Sequence, residues 1–278
     1  MRKKQGTRTT EWIVYIILIL VCIFAIFPLY WGISTSFKER SHIMTYPVEW
    51  IPKSPNLEHY RRIFRKPATP WYFLNSVLVS SGAVAMVLLV SSLAAYAAAR
   101  FNFAGKKALM FIPLILWMIP PISIITPLYL IIAKAGLLDS HIALILVCAA
   151  IHAPIGTWLI RSFFQDIPSE LDDAAMIDGC SRLQALFRII LPLSWPGLFA
   201  CAILVFVRTW NIFLFAQTFL SSETKMVVQV GLYRYITEYG IDWGALMAMT
   251  TLALIPPAVL FIALQKHFVH ALSGARVG

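Results

Sequence analysis

Few side chains in this sequence could take part in chemistry, and most of those lie in long uncharged runs. Arg208 is the one charge inside its run, and Trp210 and Asn211 follow it closely. A charge in such a run is costly and often functional. An indole and an amide beside a guanidinium could bind a polar solute by stacking and hydrogen bonding. Two alternatives stay open: Arg208 pairs with a partner subunit, or its head group extends to an interface.

Motifs for hydrolytic or nucleotide chemistry do not occur in the sequence. It contains no G-x-x-x-x-G-K-[ST], no H-E-x-x-H and no G-x-S-x-G. His152 lies in an apolar run, where a packed, hydrogen-bonded imidazole is favoured over a proton relay. His267 and His270 are three residues apart, but no Asp, Glu or Cys lies nearby. We therefore expect no catalytic residue, no metal site and no cofactor bound by this chain.

A polar stretch between two uncharged runs, residues 170–197, has the pattern of an interaction segment. It reads ELDDAAMIDGCSRLQALFRIILPLSWPG. Acidic residues after Pro168 predict a helix start, because they suit the positive end of the helix dipole. Gly179 permits a sharp bend, and an apolar stripe follows at Leu183, Leu186 and Phe187. The stripe could dock on a partner, or it could lie on the membrane surface without one.

Long uncharged runs define the elements that must position these residues. Of the 278 residues, 59% are apolar and 13% charged, whereas soluble domains carry roughly 25% charged residues. A spanning helix needs about 20 apolar residues, and lipid cannot satisfy an open backbone. We therefore predict an all-α integral membrane protein with six transmembrane helices. The uncharged runs are 12–37, 67–99, 108–133, 140–160, 189–222 (interrupted by Arg208) and 243–265.

The charges and prolines lie largely where such helices would be joined or broken. The net charge is +10, and Lys and Arg between the runs fit anionic lipid head groups better than nucleic acid. Their distribution favours a cytoplasmic N-terminus only weakly. The proline-rich stretch 38–70 predicts an irregular loop with a short helix at 57–64. Prolines in the run 108–133 predict a broken helix, which could line a cavity or be a packing kink.

Polar and sulfur-containing residues within the runs have mostly structural interpretations. Helix–helix hydrogen bonds are the favoured use of the polar side chains in the second run, although Asn75 is also a candidate to line a polar path. These side chains are Asn75, Ser76, Ser91 and Ser92. The cysteines form no C-x-x-C pair, and we expect them to be small buried apolar residues. They are Cys22, Cys148, Cys180 and Cys201.

The 170–197 stretch resembles the signature of the inner-membrane permease subunits of binding-protein-dependent ABC importers. That signature is EAA, three residues, G, nine residues, I, one residue and LP. Six of its seven positions match, and Asp173 replaces the glutamate with a shorter acid. The residues at the seven positions are Asp173, Ala174, Ala175, Gly179, Ile189, Leu191 and Pro192. IFPLYWGISTSFK, PNLEHYRRIF, WNIFLFA and the ending LQKHFVHALSGARVG resemble the carbohydrate branch of the family.

This resemblance implies a type I ABC importer permease fold with both termini cytoplasmic. It implies a cytoplasmic N-terminus at 1–11, a first transmembrane helix at 12–36, an extracytoplasmic loop at 37–70, a five-helix permease domain at 71–265 and a cytoplasmic tail at 266–278. Residues 170–187 would be a coupling helix that seats in a groove of an ATPase. The implied coupling residues are Glu170, Asp172, Asp173, Ala174, Ala175, Gly179, Leu183, Phe187 and Pro192.

The resemblance also implies an assembly and a task. The partners would be a second homologous permease, two ATPase subunits that bind ATP and Mg, and an extracytoplasmic solute-binding protein, in a bacterial or archaeal cell membrane. The loop 221–243 would contact the binding protein, and the tail would insert between the ATPases. The cargo would be a sugar, an oligosaccharide or a polyol, and glycerol phosphate is an alternative. Two other classes fit less well. A membrane-embedded enzyme would need convergent titratable groups in its spans, which this sequence lacks. A role as a membrane scaffold would leave the spacing of the signature unexplained.

Overall fold

Helices account for nearly all the regular structure of the described chain. The computed structural model describes residues 3–274, with the side chains of 11–115 and 118–265. The α-helices are α1 (Lys3–Ser36), α2 (Glu58–Phe64), α3 (Thr69–Arg100), α4 (Lys106–Trp117), α5 (Pro121–Lys134), α6 (His141–Gln165), α7 (Glu170–Ile177), α8 (Arg182–Ala185), α9 (Leu191–Leu193), α10 (Trp195–Trp210), α11 (Leu214–Phe219), α12 (Val228–Tyr233) and α13 (Trp243–Gly274). Short 3-10 turns occupy Arg40–His42 and Glu223–Lys225, and a π-helical turn occupies Leu186–Ile190. Strands β1 (Ile236–Thr237) and β2 (Gly240–Ile241) form an antiparallel hairpin.

Several helices have the length and composition to cross a membrane. Within the described residues, α1, α3, α6 and α13 each meet that requirement. The pair Arg182–Leu193 and Trp195–Trp210, bent by 81°, adds a fifth span if it counts as one. The first helix ends at Ser36, and the short loop helix α2 lies where the sequence placed it. These helices confirm an all-α, multi-pass membrane protein.

Two of the expected spans are interrupted. The run 108–133 forms α4 and α5 around a break before Pro121, so the predicted broken helix is confirmed. The fifth run does not begin its straight helix at Ile189: the chain turns through 81° and α10 begins at Trp195. Proline accounts for the turn, because Pro192 and Pro196 suit the first turn of a helix and lack a donor for a preceding one. The helix then ends at Trp210, well before Ser222.

The described chain forms two compact units. One contains the residues up to Pro67 together with Leu232–Leu254, and the other contains Ala68–Gly231 together with the residues from Ile255 onward. In the first unit, the Nζ of Lys38 lies 4.0 Å from the ring centroid of Trp31. The buried His59 ring bonds the Lys38 carbonyl through Nε2 at 2.9 Å, and Arg62 pairs with Asp242 at 2.6 Å. These contacts join the loop after α1 to the start of α13.

The core of the second unit is the packing of α3, α6 and α10. Gly156 on α6 lies where the other two helices approach: a Cβ there would be 2.8 Å from Val87, 2.9 Å from Ser91 and 3.3 Å from Cys201. The hydroxyl of Ser91 donates to the Ala153 carbonyl at 3.0 Å, which confirms the predicted helix–helix hydrogen bond. Of the four free cysteines, Cys148 and Cys201 are buried, whereas Cys22 is exposed along α1 and Cys180 is partly exposed.

Gly156→Ala should destabilise the protein by about 1–3 kcal/mol, because the added methyl overpacks a three-helix contact. Gly82→Ala is the matched control. Its Cβ would meet the single flexible side chain of Ile145, nearest at 2.7 Å, and alanine gains about 1 kcal/mol of helix propensity over glycine. Thermal unfolding of the detergent-solubilised protein measures the stability of both variants. Equal midpoints for the two variants would contradict this account of the packing.

Asp139 organises the chain at the other end of α6 from the 170–197 stretch. Its carboxylate accepts from the Ser221 and Ser222 backbone at 3.0 and 2.9 Å and from the Ser222 hydroxyl at 2.5 Å. It also pairs with Lys225 Nζ at 2.9 Å. The residue has a φ of 55°, a conformation that Asp tolerates better than most residues. Lys225 and the Ser222 donors hold the pKa of the Asp139 carboxyl well below its usual range.

Asp139→Asn should destabilise the protein by about 1 kcal/mol at neutral pH, a modest value because the site is partly exposed and screened. A carboxyl whose pKa is lowered on folding stabilises the native state above its unfolded pKa of about 3.9, and the effect is lost as pH falls through the folded pKa. The difference from wild type should therefore be the same at pH 7 and pH 5. Unfolding midpoints at both pH values test this. When Asp139→Asn is combined with Lys225→Gln, the loss of stability should be smaller than the sum of the two single losses. Strict additivity would exclude the pairing.

Candidate coupling segment and polar surface

Residues 170–193 form the candidate coupling segment, a chain of short helices and not one helix over 170–187. Helix α7 ends in a glycine turn in which Cys180 N donates to the Ala175 carbonyl at 2.9 Å and Gly179 N donates to the Met176 carbonyl at 3.1 Å. Gly179 has a φ of +88°, as this turn type requires. Ser181 and Gln184 then cap α8 reciprocally. The predicted bend at Gly179 is therefore confirmed.

The coupling segment has an exposed apolar side and a buried side. Ile177, Leu183 and Phe187 are 87%, 59% and 51% exposed. Exposed large apolar groups concentrated on a short polar segment are typical of an interaction site. Ile177 was not among the predicted coupling residues. The predicted residues that lie at the surface besides Leu183 and Phe187 are Glu170, Asp173, Ala174, Gly179 and Pro192. The residues that pack inward are Ala175, Ala185, Leu186 and Ile190.

Asp172 requires a correction, because its side chain points inward and is only 6% exposed. Arg100 Nε lies 2.7 Å from one carboxylate oxygen, and the Tyr96 hydroxyl donates to the other at 2.6 Å. A carboxylate satisfied in this way is not available to a partner surface. Asp172 therefore fixes α7 to the end of α3, whereas its neighbour Asp173 is exposed.

Sequence reasoning missed Tyr96 and Arg100. Both lie on the last turns of α3, and Arg100 is its last residue. Arg100 is the first charge after a long apolar run, and that position reads as an ordinary interfacial anchor. Nothing in the sequence links it to an aspartate 72 residues away.

The residues predicted to line a polar path separate into two groups. Arg208 and Asn211 are exposed near the end of α10. The amide of Gln229, which sequence reasoning did not select, donates to Asn211 Oδ1 at 3.2 Å. Arg208 lies three residues before Asn211, in the last turn of α10, and Arg208, Asn211 and Gln229 are named the polar surface of the second unit. A guanidinium and two amides can bind a polyhydroxylated or anionic solute by hydrogen bonds and charge.

Trp210 and Asn75 belong to the packing of the described chain. Trp210 is 2% exposed and stacks on Phe206, with ring centroids 5.7 Å apart. Asn75 is buried, and its amide donates to the carbonyls of Thr224 and Met226 at 2.8 and 2.9 Å. These donors hold the loop before α12 against α3, so Asn75 presents no surface to a solute.

His152 is buried within α6, as expected for a packed histidine. Its Nδ1 has no hydrogen-bond partner in the described part of the chain, so the expectation of a hydrogen-bonded ring fails for this atom. The side chains of His267 and His270 lie outside the described ones, and their predicted lack of a metal is left as an expectation.

Comparison with known proteins places the chain in a family. Residues 88–274 match the family model "Binding-protein-dependent transport system inner membrane component". The sulfoquinovosyl glycerol transport system permease protein SmoH of Agrobacterium fabrum is 34% identical over 89% of this chain and 87% of its own length. The trehalose/maltose transport system permease protein MalG of Thermococcus litoralis is 36% identical over 92% of each.

A solved structure has the same fold. A chain from the crystal structure of a bacterial ABC transporter involved in the import of the acidic polysaccharide alginate superposes with a TM-score of 0.82. The match covers 96% of this chain and 99% of that one, at 21% identity. The chain belongs to the family of binding-protein-dependent transport system inner membrane components, and within its carbohydrate branch it is a permease subunit of a solute importer.

Proposed function

We propose that the chain imports a sugar, an oligosaccharide or a related polyol by alternating access, driven by ATP that separate subunits hydrolyse. One observation carries the proposal: the coupling segment exposes Ile177, Leu183 and Phe187 around a turn fixed by Gly179, while Asp172 anchors it from inside. A short segment between two spans that exposes apolar side chains suits docking into a partner's groove. The chain itself would be non-catalytic.

The proposed topology has six spans with both termini in the cytoplasm. Helices α4 and α5 would together cross once as a broken span, and the bent α8–α10 region would supply the fifth crossing. Broken helices are a common way to line a transport cavity. In this arrangement the coupling segment faces the cytoplasm, and the proposed regions keep the bounds 1–11, 12–36, 37–70, 71–265 and 266–278.

The proposed partners are a second homologous permease, two ATPases and an extracytoplasmic binding protein. ATP and Mg would be bound by the ATPases, whose closure would push the coupling segment and rock the helices as rigid bodies. The exposed Ile177, Leu183 and Phe187 would fill the ATPase groove, with Glu170 and Asp173 beside them. The membrane would be the cytoplasmic membrane of a bacterium or an archaeon.

The proposed solute class rests on the polar surface and on the relatives' names. Arg208, Asn211 and Gln229 supply donors and an acceptor suited to hydroxyl groups. Several relatives are named for saccharide transport, among them an arabinooligosaccharide permease protein, AraQ, 33% identical over 98% of this chain. Selection among sugars would rest mainly with the binding protein.

An anionic solute is the second candidate, because Arg208 is exposed on a helix that is otherwise uncharged. A guanidinium binds phosphate, sulfonate and carboxylate groups well. Glycerol phosphate or a sugar acid would fit this alternative. Arg208→Gln should then lower uptake of the anionic solute more than uptake of a neutral one.

The test uses the complex purified through a tag on this chain. Mass spectrometry identifies the co-purifying subunits, and calorimetry measures the affinity of the binding protein for neutral and anionic saccharides. In proteoliposomes we expect ATP-dependent uptake of the saccharide that the binding protein prefers. Selective binding and uptake of an amino acid or a metal ion would overturn the proposal. Preference for an anionic sugar would support the second candidate.

A further inference from the structure

A single guanidinium joins three separate parts of the second unit. Arg100 Nε pairs with Asp172 of α7 at 2.7 Å. Its Nη1 donates to the Phe164 carbonyl at 3.1 Å, and its Nη2 donates to the Ile167 carbonyl at 3.0 Å. Those two carbonyls lie in the last turn of α6 and just beyond it, where intrahelical donors run out. Arg100 therefore connects the end of α3, the end of α6 and the first turn of α7.

The contact is buried and is held by several interactions at once. The side chains of Arg100 and Asp172 are 9% and 6% exposed. The Tyr96 hydroxyl satisfies the second carboxylate oxygen at 2.6 Å, and its ring packs edge-on against Phe164 with centroids 6.5 Å apart. A planar guanidinium with several fixed donors holds such an arrangement better than a flexible ammonium. Tyr96, Arg100 and Asp172 are named the inner clamp below.

The second half of the coupling segment contacts the same helix end. The guanidinium carbon of Arg182, the first residue of α8, lies 4.9 Å from the ring centroid of Phe101. Phe101 also packs edge-on against Tyr96 at 6.2 Å. Both sides of the Gly179 turn are thus held to residues 96–101. The chain between α6 and α7, residues 166–169, is a short connection outside any helix.

We propose that the inner clamp is the positioning device that transmits movement of the coupling segment to α3. Without it, a push on α7 would be absorbed by rotation about residues 166–169. With it, α7 and the 32-residue α3 move as one body, so a displacement at the ATPase reaches the core packing of α3, α6 and α10. Arg100 is a positioning residue that acts through Asp172. This inference rests on the proposed docking of an ATPase on the coupling segment.

The first test measures solute transported per ATP hydrolysed by the intact complex in proteoliposomes. Asp172→Asn and Arg100→Lys should each lower that ratio about fivefold or more, the lower range of typical coupling factors, while ATP hydrolysis continues. The matched control is the arginine of a second Arg–Asp pair among the described residues, Arg62, whose Nη2 lies 2.6 Å from Asp242 in the first unit. Arg62→Lys should leave the ratio unchanged.

A triple variant covers the case in which the single variants fail to fold. Removing one partner strands a buried charge, whereas replacing the whole cluster with apolar groups of similar size often preserves folding. Tyr96→Phe, Arg100→Met and Asp172→Leu together should therefore yield assembled complex with ATPase activity and little uptake. A purely structural role would instead reduce uptake and ATP hydrolysis in proportion to the amount of complex.

The outcomes separate this inference from the proposed function. A wild-type ratio in the assembled triple variant overturns the inner clamp and leaves ATP-driven import intact. A ratio lowered equally by Arg62→Lys also overturns it, because the effect would not be specific to the clamp. No ATP-dependent uptake by the wild-type complex would overturn both. A lowered ratio in the clamp variants alone supports the inference.

Discussion

Gly179→Val should reduce ATP-driven uptake at least about tenfold while the protein still inserts in the membrane, since a misplaced segment forfeits more than about 1.4 kcal/mol of docking. Gly179 has a φ of +88°, and within the described part of the chain no atom beyond its immediate neighbours lies within 4 Å of the point where a Cβ would stand. An added Cβ would therefore meet no clash, and the main cost lies in the backbone, about 1–3 kcal/mol for a left-handed residue. The variant would avoid that cost by rearranging the turn, and the rearrangement would move Leu183 and Phe187 relative to Ile177.

Gly136 provides a matched control for this substitution. It ends α5 in the same type of turn, with Leu137 N donating to the Ile132 carbonyl at 3.0 Å and Gly136 N donating to the Ala133 carbonyl at 3.0 Å. Its φ is +67°, and it also has open space around it. Gly136→Val should cost similar stability without the loss of coupling. The two variants are compared by measuring uptake and ATP hydrolysis, each normalised to the amount of inserted protein. Normal uptake and ATP hydrolysis in Gly179→Val would remove the coupling role from this turn.

Leu183→Asp should weaken binding of the ATPase subunits by roughly 2 kcal/mol, about thirtyfold, as expected for an apolar anchor at an interface. Leu183 is 59% exposed in this chain, so the aspartate would cost little in folding. In a complex the same carboxylate would have to be buried without a partner. Retention of ATPase by the tagged permease, titrated in detergent, measures the loss.

Leu57 is the control for this charge. It is a leucine 51% exposed at the start of α2, outside the coupling segment. Leu57→Asp should leave ATPase retention unchanged. Equal retention by both variants would mean that Leu183 is not at the interface.

The sequence predicts those parts of the site that depend on local conformation. Gly179 had a local reason to bend the chain, and the structure shows the turn that needs it. The prolines of the third run predicted the break between α4 and α5. The bend before Trp195 was harder to foresee from the sequence. Pro192 and Pro196 are acceptable in the first turn of a helix whether two successive helices are collinear or bent.

Residues defined by distant contacts could not be assigned in this way. The first turn of α7 carries three acids, Glu170, Asp172 and Asp173. Only the packing of α3 shows that Asp172 is the buried one, because its partners Tyr96 and Arg100 are more than 70 residues away. Asn75 was similarly ambiguous. An amide in an apolar run satisfies a loop backbone as well as it would a solute, and here it binds residues 224 and 226.

Photo-crosslinking in the intact complex tests the central claim, that the coupling segment contacts the ATPase. The photoreactive p-benzoylphenylalanine replaces Ile177, which is 87% exposed, or Tyr239, which is fully exposed on the turn of the β1–β2 hairpin. We predict that the reagent at position 177 forms an adduct with the ATPase subunit and that the reagent at position 239 does not. An ATPase adduct at position 239 and none at position 177 would contradict both the docking site and the proposed orientation.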